Sequence, residues 1–454
     1  SNKGDCTDAI AATVAAAARV ARGARRRPVV RFAAGGIFLT RPFNVSSGLV
    51  LEVKGTILGA TGSAALERWP KLPPLPTYGR DRDGAKSERH QALVLVDGAS
   101  DVLIRGGGAI DGQGAWWWDR RHRLRAGRPH LLELFNCSRV EVAGITLRDS
   151  PFWTLHAVYS EHVHIHHLHV RAPLYAPNTD GIDPDSSRHV LIEHNDISVG
   201  DDHVAIKAGL SALAREAFPR FATENVTVRH NTLRAGMGIS IGSETSGGIR
   251  GVDVHDNVLH GEGWCVALHV KTTPQRGNMV EGVSFRSNHV TNTTGFMRLE
   301  TGYQGASKAP LPRDYPPTTI RNLSWIANRF DRPGRTRSKW ICPASYSTCH
   351  GLVIRDNSMP QGSDWRCARI GSASVAGNAP AGAEACVQGV AGGGKLKRRK
   401  GRRKSKAAHG RAATRAASSR KIAGQAGAGC PFCAERDRRW SGRTSLSDPS
   451  RPML

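Results

Sequence analysis

The feature that most constrains the fold is a short motif that returns along the chain and ends each time in Asn. Six seven-residue segments share an apolar residue at the second and fourth positions and Asn at the seventh. They are HVLIEHN, NVTVRHN, GVDVHDN, GVSFRSN, NLSWIAN and GLVIRDN, ending at Asn195, Asn231, Asn257, Asn288, Asn328 and Asn357. The steps between them are 36, 26, 31, 40 and 29 residues, which is the range of solenoid repeats. Three earlier segments, DVLIRGG, RVEVAGI and HVHIHHL, share the alternation without the Asn.

This repeat predicts strands stacked in coils. Apolar alternation of period two indicates strands, and unequal steps indicate one strand type per coil with loops of variable length. The Leu frame of leucine-rich repeats and the steadier spacing of propeller blades are both absent. We therefore predict an all-β chain folded as a right-handed, single-stranded parallel β-helix. The Asn residues either bond the next coil as a ladder or form the turn after each strand, and both alternatives give the same fold.

The N-terminal segment is predicted to cover the open end of this solenoid. An uncapped coil would expose unpaired strand edges, and the segment 5–22, DCTDAIAATVAAAARVAR, has the composition of a short amphipathic helix beginning near Asp5 or Thr7. The 50 Gly residues and the low aromatic content, 6%, suit a turn-rich β architecture. No apolar run is long enough to predict a transmembrane helix.

Charge divides the chain into two parts. The net charge is +26, and residues 391–454 hold 18 Lys and Arg against three acids, including the run KLKRRKGRRKSK. We predict a β-helix domain over 1–390 and a disordered basic tail over 391–454. The tail either anchors a polyanion or is an extension with no specific role. We expect a monomer with neither a membrane nor a nucleic-acid partner.

Cysteine usage suggests disulfides rather than a metal site. Of the nine Cys, four lie near the end of the first part and could pair in a secreted protein: Cys342, Cys349, Cys367 and Cys386. The single CxxC, CPFC at 430–433, lacks the second ligand pair that a zinc site needs. No metal and no organic cofactor is predicted.

Three carboxylates mark the candidate site. Asp180 lies 22 residues before Asp202, close to one minimal coil, so it should stack beside Asp201 and Asp202 on the neighbouring coil. Clustered acids suit either calcium binding or glycoside hydrolysis, in which close carboxylates separate each other's pKa values. A purely structural acidic ladder is disfavoured because like charges side by side destabilise a sheet. Met237, then His269 and Lys271, should follow on the next coils, with basic groups two coils from the acids.

At these residues the sequence resembles glycoside hydrolase family 28, the polygalacturonases and related pectin hydrolases. The segments that carry the resemblance are NTDGIDPDS (178–186), VGDDHVAIKAG (199–209), GISIGSETSGGI (238–249), HVKTTPQRGN (269–278), GAIDGQGAWWW (108–118) and YPPTTIRNLSW (315–325), and they are most similar to the plant-type branch. The resemblance implies a metal-independent hydrolase that cleaves α-galacturonosyl linkages with inversion. Asp201 would be the general acid, and Asp180 and Asp202 would activate water, with carboxylates about 6.5–9.5 Å apart.

Two positions depart from the family pattern. Met237 stands where many members have a His that assists the catalytic acid, and His269 replaces the Arg of an Arg-x-Lys pair. A bidentate Arg grip on a carboxylate cannot be reproduced by His, so we expect His269 to help when protonated at acid pH. Lys271, His269 and Asn178 are the predicted substrate-binding residues, and the expected partner is an acidic polysaccharide such as pectin.

Two other functions remain open at this stage. A calcium-dependent pectate lyase would use the acids to hold Ca²⁺, and a non-catalytic pectin-binding β-helix would account for the lost Arg. Trp116, Trp117 and Trp118 could stack on sugar or pack in the core. The run HVHIHHLHV places His162, His164 and His166 on one face and His167 and His169 on the other, which favours exposed strand histidines over a metal site. We expect secretion to the cell exterior or cell wall, although this chain shows no signal peptide.

Overall fold

Parallel strands in three long sheets form the body of the chain. The structure, a computed structural model, describes residues 4–22, 25–79, 88–262, 266–303, 317–331, 337–342, 347–361, 363–368 and 370–379. The predicted tail 391–454, with its CPFC segment, lies outside these residues, so the domain division at 390 stays a prediction. No helix among the described residues is long and apolar enough to cross a membrane.

We name the sheets A, B and C in the order in which each coil visits them. Within the described residues, sheet A contains Val29–Phe32, Val50–Val53, Ser100–Gly106, Ser138–Ala143, Glu161–His166, Arg188–Glu193, Thr223–Arg229, Ile249–His255, Met279–Arg286, Thr318–Ile326, Ser347–His350, Leu352–Arg355 and Ala373–Ala376. Sheet B contains Ile37–Thr40, Thr56–Gly59, Ala109–Asp111, Thr146–Arg148, His169–Arg171, Asp196–Ser198, Thr232–Leu233, Val258–His260, His289–Thr291 and Arg329–Asp331. Sheet C contains Phe43–Val45, Val94–Asp97, Leu132–Phe135, Leu155–Val158, Ile182–Asp185, Val204–Ile206, Ile239–Ile241, Val266–Lys271, Gly295–Glu300, Arg337–Ile341 and Asp364–Ala368. The predicted right-handed parallel β-helix is confirmed.

Short elements occupy the loops that leave the coils. The helices are α1 (Thr7–Ala21), α2 (Ser63–Glu67), α3 (Gly114–Trp118) and α4 (Ala212–Glu216), with a 3-10 turn at Pro76–Tyr78 and a small antiparallel pair, Lys71–Leu72 and Arg89–His90. Helix α1 lies against the first coil, where Ile10 and Val14 are buried in the core. An Asp5 carboxylate oxygen accepts a hydrogen bond from the Thr7 backbone N–H at 2.9 Å and so caps its start. The predicted N-terminal helix is thus present, and it begins at Thr7, one of the two predicted starts.

The repeated motif builds sheet A and one of its corners. Its second and fourth residues point inward and are buried; on one strand they are Val190 and Ile192. The terminal Asn residues form a buried ladder, in which the Asn195 Nδ2 donates to Asn231 Oδ1 at 2.9 Å and each later Asn repeats the contact. A seventh member that the sequence reading missed, Asn378, accepts from Asn357 at 3.0 Å.

The corner before each Asn also explains the histidine-rich segment. The residue that precedes Asn195 is His194, whose φ of 55° is left-handed, and His167 has a φ of 54° at the matching corner. The chain therefore turns at His167, and His169 opens a strand of sheet B instead of lying on the opposite face of the same strand. The alternation predicted for this run is wrong at that point, because a left-handed residue interrupts the strand.

Candidate active site

The three acids lie together where the chain passes from sheet B to sheet C. Asp180 precedes strand Ile182–Asp185 by two residues, and Asp202 precedes Val204–Ile206 by the same distance. Ile182 pairs with Val204, so the two acids are stacked on adjacent coils. Asp180, Asp201 and Asp202 each offer an oxygen within 4.8 Å of the others.

Two glycines allow this close stacking of coils. A Cβ at Gly181 would lie 2.5 Å from the His203 carbonyl oxygen, and one at Gly200 would lie 2.2 Å from that of Ala176. Neither contact leaves room for a side chain. The carboxyl separation predicted from inversion, about 6.5–9.5 Å, is not reached by the nearest oxygens, because adjacent coils are only one strand spacing apart.

The acids differ in burial and in what holds them. Asp180 and Asp202 are buried, whereas Asp201 is only half-buried. Burial, reinforced by the charge of Asp201, raises the pKa of Asp180 to about 7. Both oxygens of Asp202 are engaged, since Oδ1 accepts from Ser240 Oγ at 2.8 Å and Oδ2 lies 2.6 Å from Lys271 Nζ.

Asp202 and Lys271 form a buried ion pair. Burial raises the pKa of Asp202, and the Lys271 ammonium opposes that rise. Burial alone would lower the pKa of Lys271, but the Asp202 carboxylate raises it well above its ordinary value. Lys271 therefore stays cationic and is directed at an acid of the site. The structure places it in contact with the acids two coils away, as the sequence predicted.

A second buried cation, Lys207, was missed by the sequence analysis. Its Nζ lies 3.4 Å from Asp180, 3.5 Å from Asp183 and 3.3 Å from Glu244, and 4.3 Å from the ring centroid of Trp153. Burial would raise the pKa of Glu244, but Lys207 and Arg276 lower it to about 2. The signal was present in VGDDHVAIKAG, because inward Val204 and Ile206 force Lys207 outward beside the acids.

Asp183 is a fourth carboxyl at this place, and it is fully buried. Neither of its oxygens has a hydrogen-bond partner among the described residues, and the contact to Lys207 is long at 3.5 Å. Burial, with the nearby Asp180 charge, raises its pKa well above the ordinary value. A proton on Asp183 removes the cost of a second buried negative charge beside Asp180.

The loop that carries Met237 is held by a buried histidine. The Met237 backbone N–H donates to the Asp201 carbonyl oxygen at 2.8 Å. His203 Nδ1 accepts from the Gly238 N–H at 3.0 Å, and its Nε2 donates to the Arg234 carbonyl oxygen at 3.1 Å. Burial lowers the pKa of His203 to about 4, so the ring is neutral and supports the loop instead of acting on substrate.

The predicted substrate-binding residues lie in different settings. The Asn178 side-chain oxygen accepts from Arg128 Nη2 at 2.7 Å, and Arg128 also donates to the carbonyl oxygens of Pro151 and Pro177. His269 is buried, and burial together with the Lys271 charge lowers its pKa well below the ordinary value. Our expectation that His269 becomes charged at acid pH is therefore wrong, because a buried ring beside cations does not take up a proton.

Among the described residues, two groups of side chains have ligand atoms close enough for a metal ion. One is the acid cluster itself, and the other is His130, Glu133 and His156, all buried and with ligand atoms within 4.8 Å of one another. In the second group Arg89 Nη1 already contacts both Glu133 oxygens, at 2.9 and 2.6 Å. Burial would lower the pKa of His156, but Asp185 and Glu133, each 3.3 Å away, raise it. This group is better described as a buried ion network.

The tryptophans and cysteines singled out in the sequence have structural contacts. Trp117 and Trp118 are buried, and Trp118 Nε1 donates to the Ser150 carbonyl oxygen at 3.0 Å, which fits the packing alternative. Cys342 and Cys349 form a disulfide, while Cys386 lies outside the described residues.

Comparison with known proteins identifies relatives of a large part of the β-helix. The model of the family described as glycosyl hydrolases family 28 matches residues 79–370. A probable polygalacturonase of Vitis vinifera is 37% identical over 259 residues, which are 55% of this chain and 51% of that protein. An endo-polygalacturonase of Pectobacterium carotovorum subsp. carotovorum is 29% identical over 65% of this chain and 73% of its own length. The match therefore spans about half the length of the Vitis relative.

Solved structures share the fold. An exopolygalacturonase from Thermotoga maritima superposes with a TM-score of 0.65 at 24% identity, covering 83% of this chain and 88% of that one. A polygalacturonase from Erwinia carotovora gives a TM-score of 0.64 at 22% identity, covering 83% and 94%. At these identities the likeness establishes the right-handed β-helix and nothing finer.

Proposed function

Because the chain belongs to glycosyl hydrolases family 28, we propose that it hydrolyses the α-galacturonosyl linkages of pectin by an inverting mechanism. The observation that carries the proposal is the cluster of Asp180, Asp201 and Asp202, whose carboxylate oxygens lie within 4.8 Å of one another. Lys207 and Lys271 form ion pairs with Asp180 and Asp202. Polygalacturonase relatives that match most of the β-helix support the substrate class.

Asp201 is the proposed general acid. It is the half-buried member of the cluster, so its side chain is the one best placed to meet a leaving-group oxygen. The pKa of about 7 on Asp180 means that this carboxyl is protonated in mildly acidic solution and serves as a base only where it is ionised. In the reaction, Asp201 donates a proton to the glycosidic oxygen as the C–O bond breaks, while Asp180 and Asp202 position the attacking water and Asp180 removes its proton.

The contacts of Asp202 favour single displacement over a covalent intermediate. A nucleophilic carboxylate needs a free oxygen, and both Asp202 oxygens are engaged by Ser240 and Lys271. A pKa of about 7 suits Asp180 to general-base catalysis near neutral pH. Inversion on an α-linked substrate releases the β-anomer, and NMR of fresh product tests this directly. Initial release of the α-anomer would contradict the proposed inversion. It would agree instead with a retaining mechanism, which the short distance between the carboxyl groups, taken alone, would fit.

The deciding experiment is hydrolysis of polygalacturonate, with rhamnogalacturonan in parallel, followed by the release of reducing ends. Asp201→Asn should lower kcat about 10²–10⁴-fold, while the matched Asp256→Asn, on an exposed corner, should retain wild-type activity. Equal background release by wild type and Asp201→Asn on both polymers would leave the non-catalytic pectin-binding function instead.

The calcium-dependent lyase makes opposite predictions in the same assay. It would lose activity in EDTA and yield unsaturated products that absorb in the ultraviolet. We expect hydrolysis to continue in EDTA without such products, because Lys271 and Lys207 supply fixed positive charge at the acids. We also propose that the protein acts as a monomer outside the cell or in the cell wall, where pectin is found.

A further inference from the structure

Four basic side chains occupy one register on successive strands of sheet C. His269 pairs with Arg298, Arg298 pairs with Lys339, and Lys339 pairs with Arg366. We call these four residues the basic column. Parallel strands lie about 4.8 Å apart, so the column runs about 14 Å along the solenoid axis.

The column begins next to the acid cluster. His269 pairs with Ser240 on the preceding strand, and the Ser240 hydroxyl donates to Asp202 at 2.8 Å. A polymer that crosses the acids along the solenoid axis therefore meets His269 first and the permanent cations afterwards. This places the column on the same face as the proposed cleavage point.

The column retains unused hydrogen-bonding capacity. Arg298 Nε and His269 Nε2 are buried and have no hydrogen-bond partner among the described residues. Glu300 is the acid near them, at 3.2 Å from Lys339, 3.8 Å from Arg298 and 4.0 Å from His269. The side chains of Arg298 and Lys339 remain 31% and 27% exposed, and Arg366 is exposed. One carboxylate thus faces several donors, and parts of the Arg298, Lys339 and Arg366 side chains remain open to solvent.

Such a column is costly without a ligand. Like charges directly opposite each other on neighbouring strands destabilise a sheet, and one shared acid offsets only part of that repulsion. A polymer with a carboxylate on each sugar removes the repulsion by binding the exposed parts of Arg298 and Lys339, and Arg binds carboxylates in two-pronged fashion.

We propose that the basic column forms an extended subsite that binds successive carboxylates of a polyuronate chain beyond the cleavage point. Arg298 replaces, one coil further on, the bidentate grip that His269 cannot supply, and buried His269 marks the start of the column. The inference rests on the proposed function for the identity of the polymer.

The test measures binding and turnover against chain length. The double variant Arg298→Gln/Lys339→Gln is compared with Arg250→Gln/Arg321→Gln, which removes two acid-paired arginines from the outer face of sheet A. Affinities for galacturonate oligomers, from the dimer upward, are measured by calorimetry at low salt with the full chain carrying Asp201→Asn, so that ligand is not consumed. Turnover of the same oligomers is measured with Asp201 intact.

We expect the column variant to lose about tenfold or more in affinity for long oligomers, with little change for the dimer, and KM to rise more than kcat falls. The control pair should change neither. A column variant that binds long oligomers as tightly as wild type, or that loses equally for the dimer, overturns the inference. If wild type binds with this length dependence yet releases no reducing ends, the proposed hydrolysis fails while the subsite stands.

Discussion

Identical side chains in the acid cluster acquire different properties from their immediate contacts. Asp202 is fixed by an ammonium and a hydroxyl, whereas Asp180 shares Lys207 with Asp183 and Glu244. Burial and the Asp201 charge raise the pKa of Asp180, and the Lys207 charge, which Asp180 shares with these partners, opposes that rise.

Replacing Lys207 should shift the pH dependence of the reaction. The Lys207 charge lowers the pKa of Asp180 against burial, so Lys207→Met should raise that pKa above about 7. A base must be ionised to act, so the acid limb of the kcat/KM profile should move to higher pH by about one unit or more. The fold should lose about 3–5 kcal/mol, because buried carboxylates lose their counter-ion.

A second variant keeps this test decisive if Lys207→Met fails to fold. Glu244→Gln removes a competing carboxylate, so Lys207 acts more strongly on Asp180 and the acid limb should move to lower pH. Lys71→Met, an exposed lysine, serves as control and should leave the profile unchanged. Shifts of the same sign in the two site variants would contradict the role assigned to Lys207.

At the scale of single coils, a recurring corner and a recurring Asn govern the structure. Each Asn side chain bonds both the next Asn and backbone of the neighbouring coil; Asn288 Nδ2, for example, donates to Asn328 and to the Val254 carbonyl oxygen. The corner residue before it is left-handed, as at Ala327 with a φ of 54°. The last two residues of the motif therefore determine a turn and a hydrogen bond between coils.

Removing one member of the ladder should destabilise the protein. Asn288→Ala leaves the buried Val254 carbonyl and the Asn257 N–H without these partners, and we expect a loss of about 2–4 kcal/mol. Thermal and denaturant unfolding would measure it. Ser284→Ala, at an outward position of the same strand, should change stability by less than about 0.5 kcal/mol. Equal effects would mean that the ladder Asn are simple turn formers.

A substitution at the left-handed corner before the ladder Asn should instead stabilise the protein. Left-handed backbone costs an L-residue about 1–2 kcal/mol, and glycine recovers this against a smaller loss in unfolded-state entropy. Ala327→Gly should therefore raise stability by about 0.5–1 kcal/mol, and Gly377 already occupies the matching corner of a later coil. In contrast, Ala376→Gly, at the end of a strand, should lower it. A lower melting temperature for Ala327→Gly would refute the strain argument.

Over the whole molecule, sequence periodicity predicted sheet A far better than the other two sheets. Its strands reach nine residues, as in Thr318–Ile326, and so show alternation, whereas a two-residue strand such as Thr232–Leu233 cannot. The pairing of Ile182 with Val204 reproduces the 22-residue step that placed the acids together. The alternation in VGDDHVAIKAG places Lys207 outward, but its contact with Glu244 depends on how neighbouring coils meet, which no local pattern reports.

The stability of the whole solenoid also depends on its N-terminal cap, helix α1. Helix α1 contributes Ile10 and Val14 to the core over the first coil, and the Thr7 hydroxyl accepts the Arg41 N–H at 2.8 Å. Terminal caps keep solenoid ends from pairing with other chains.

Ile10→Asp places a charge in that interface and should cost about 3 kcal/mol or more. Beyond a lower melting temperature, light scattering should reveal concentration-dependent self-association, because the exposed first coil offers unpaired strand edges. Ala11→Asp, on the solvent side of the same helix, carries the same charge change and should remain monodisperse with wild-type stability. If the two variants behave alike, α1 does not cap the solenoid, and the first coil must be stable against association without it.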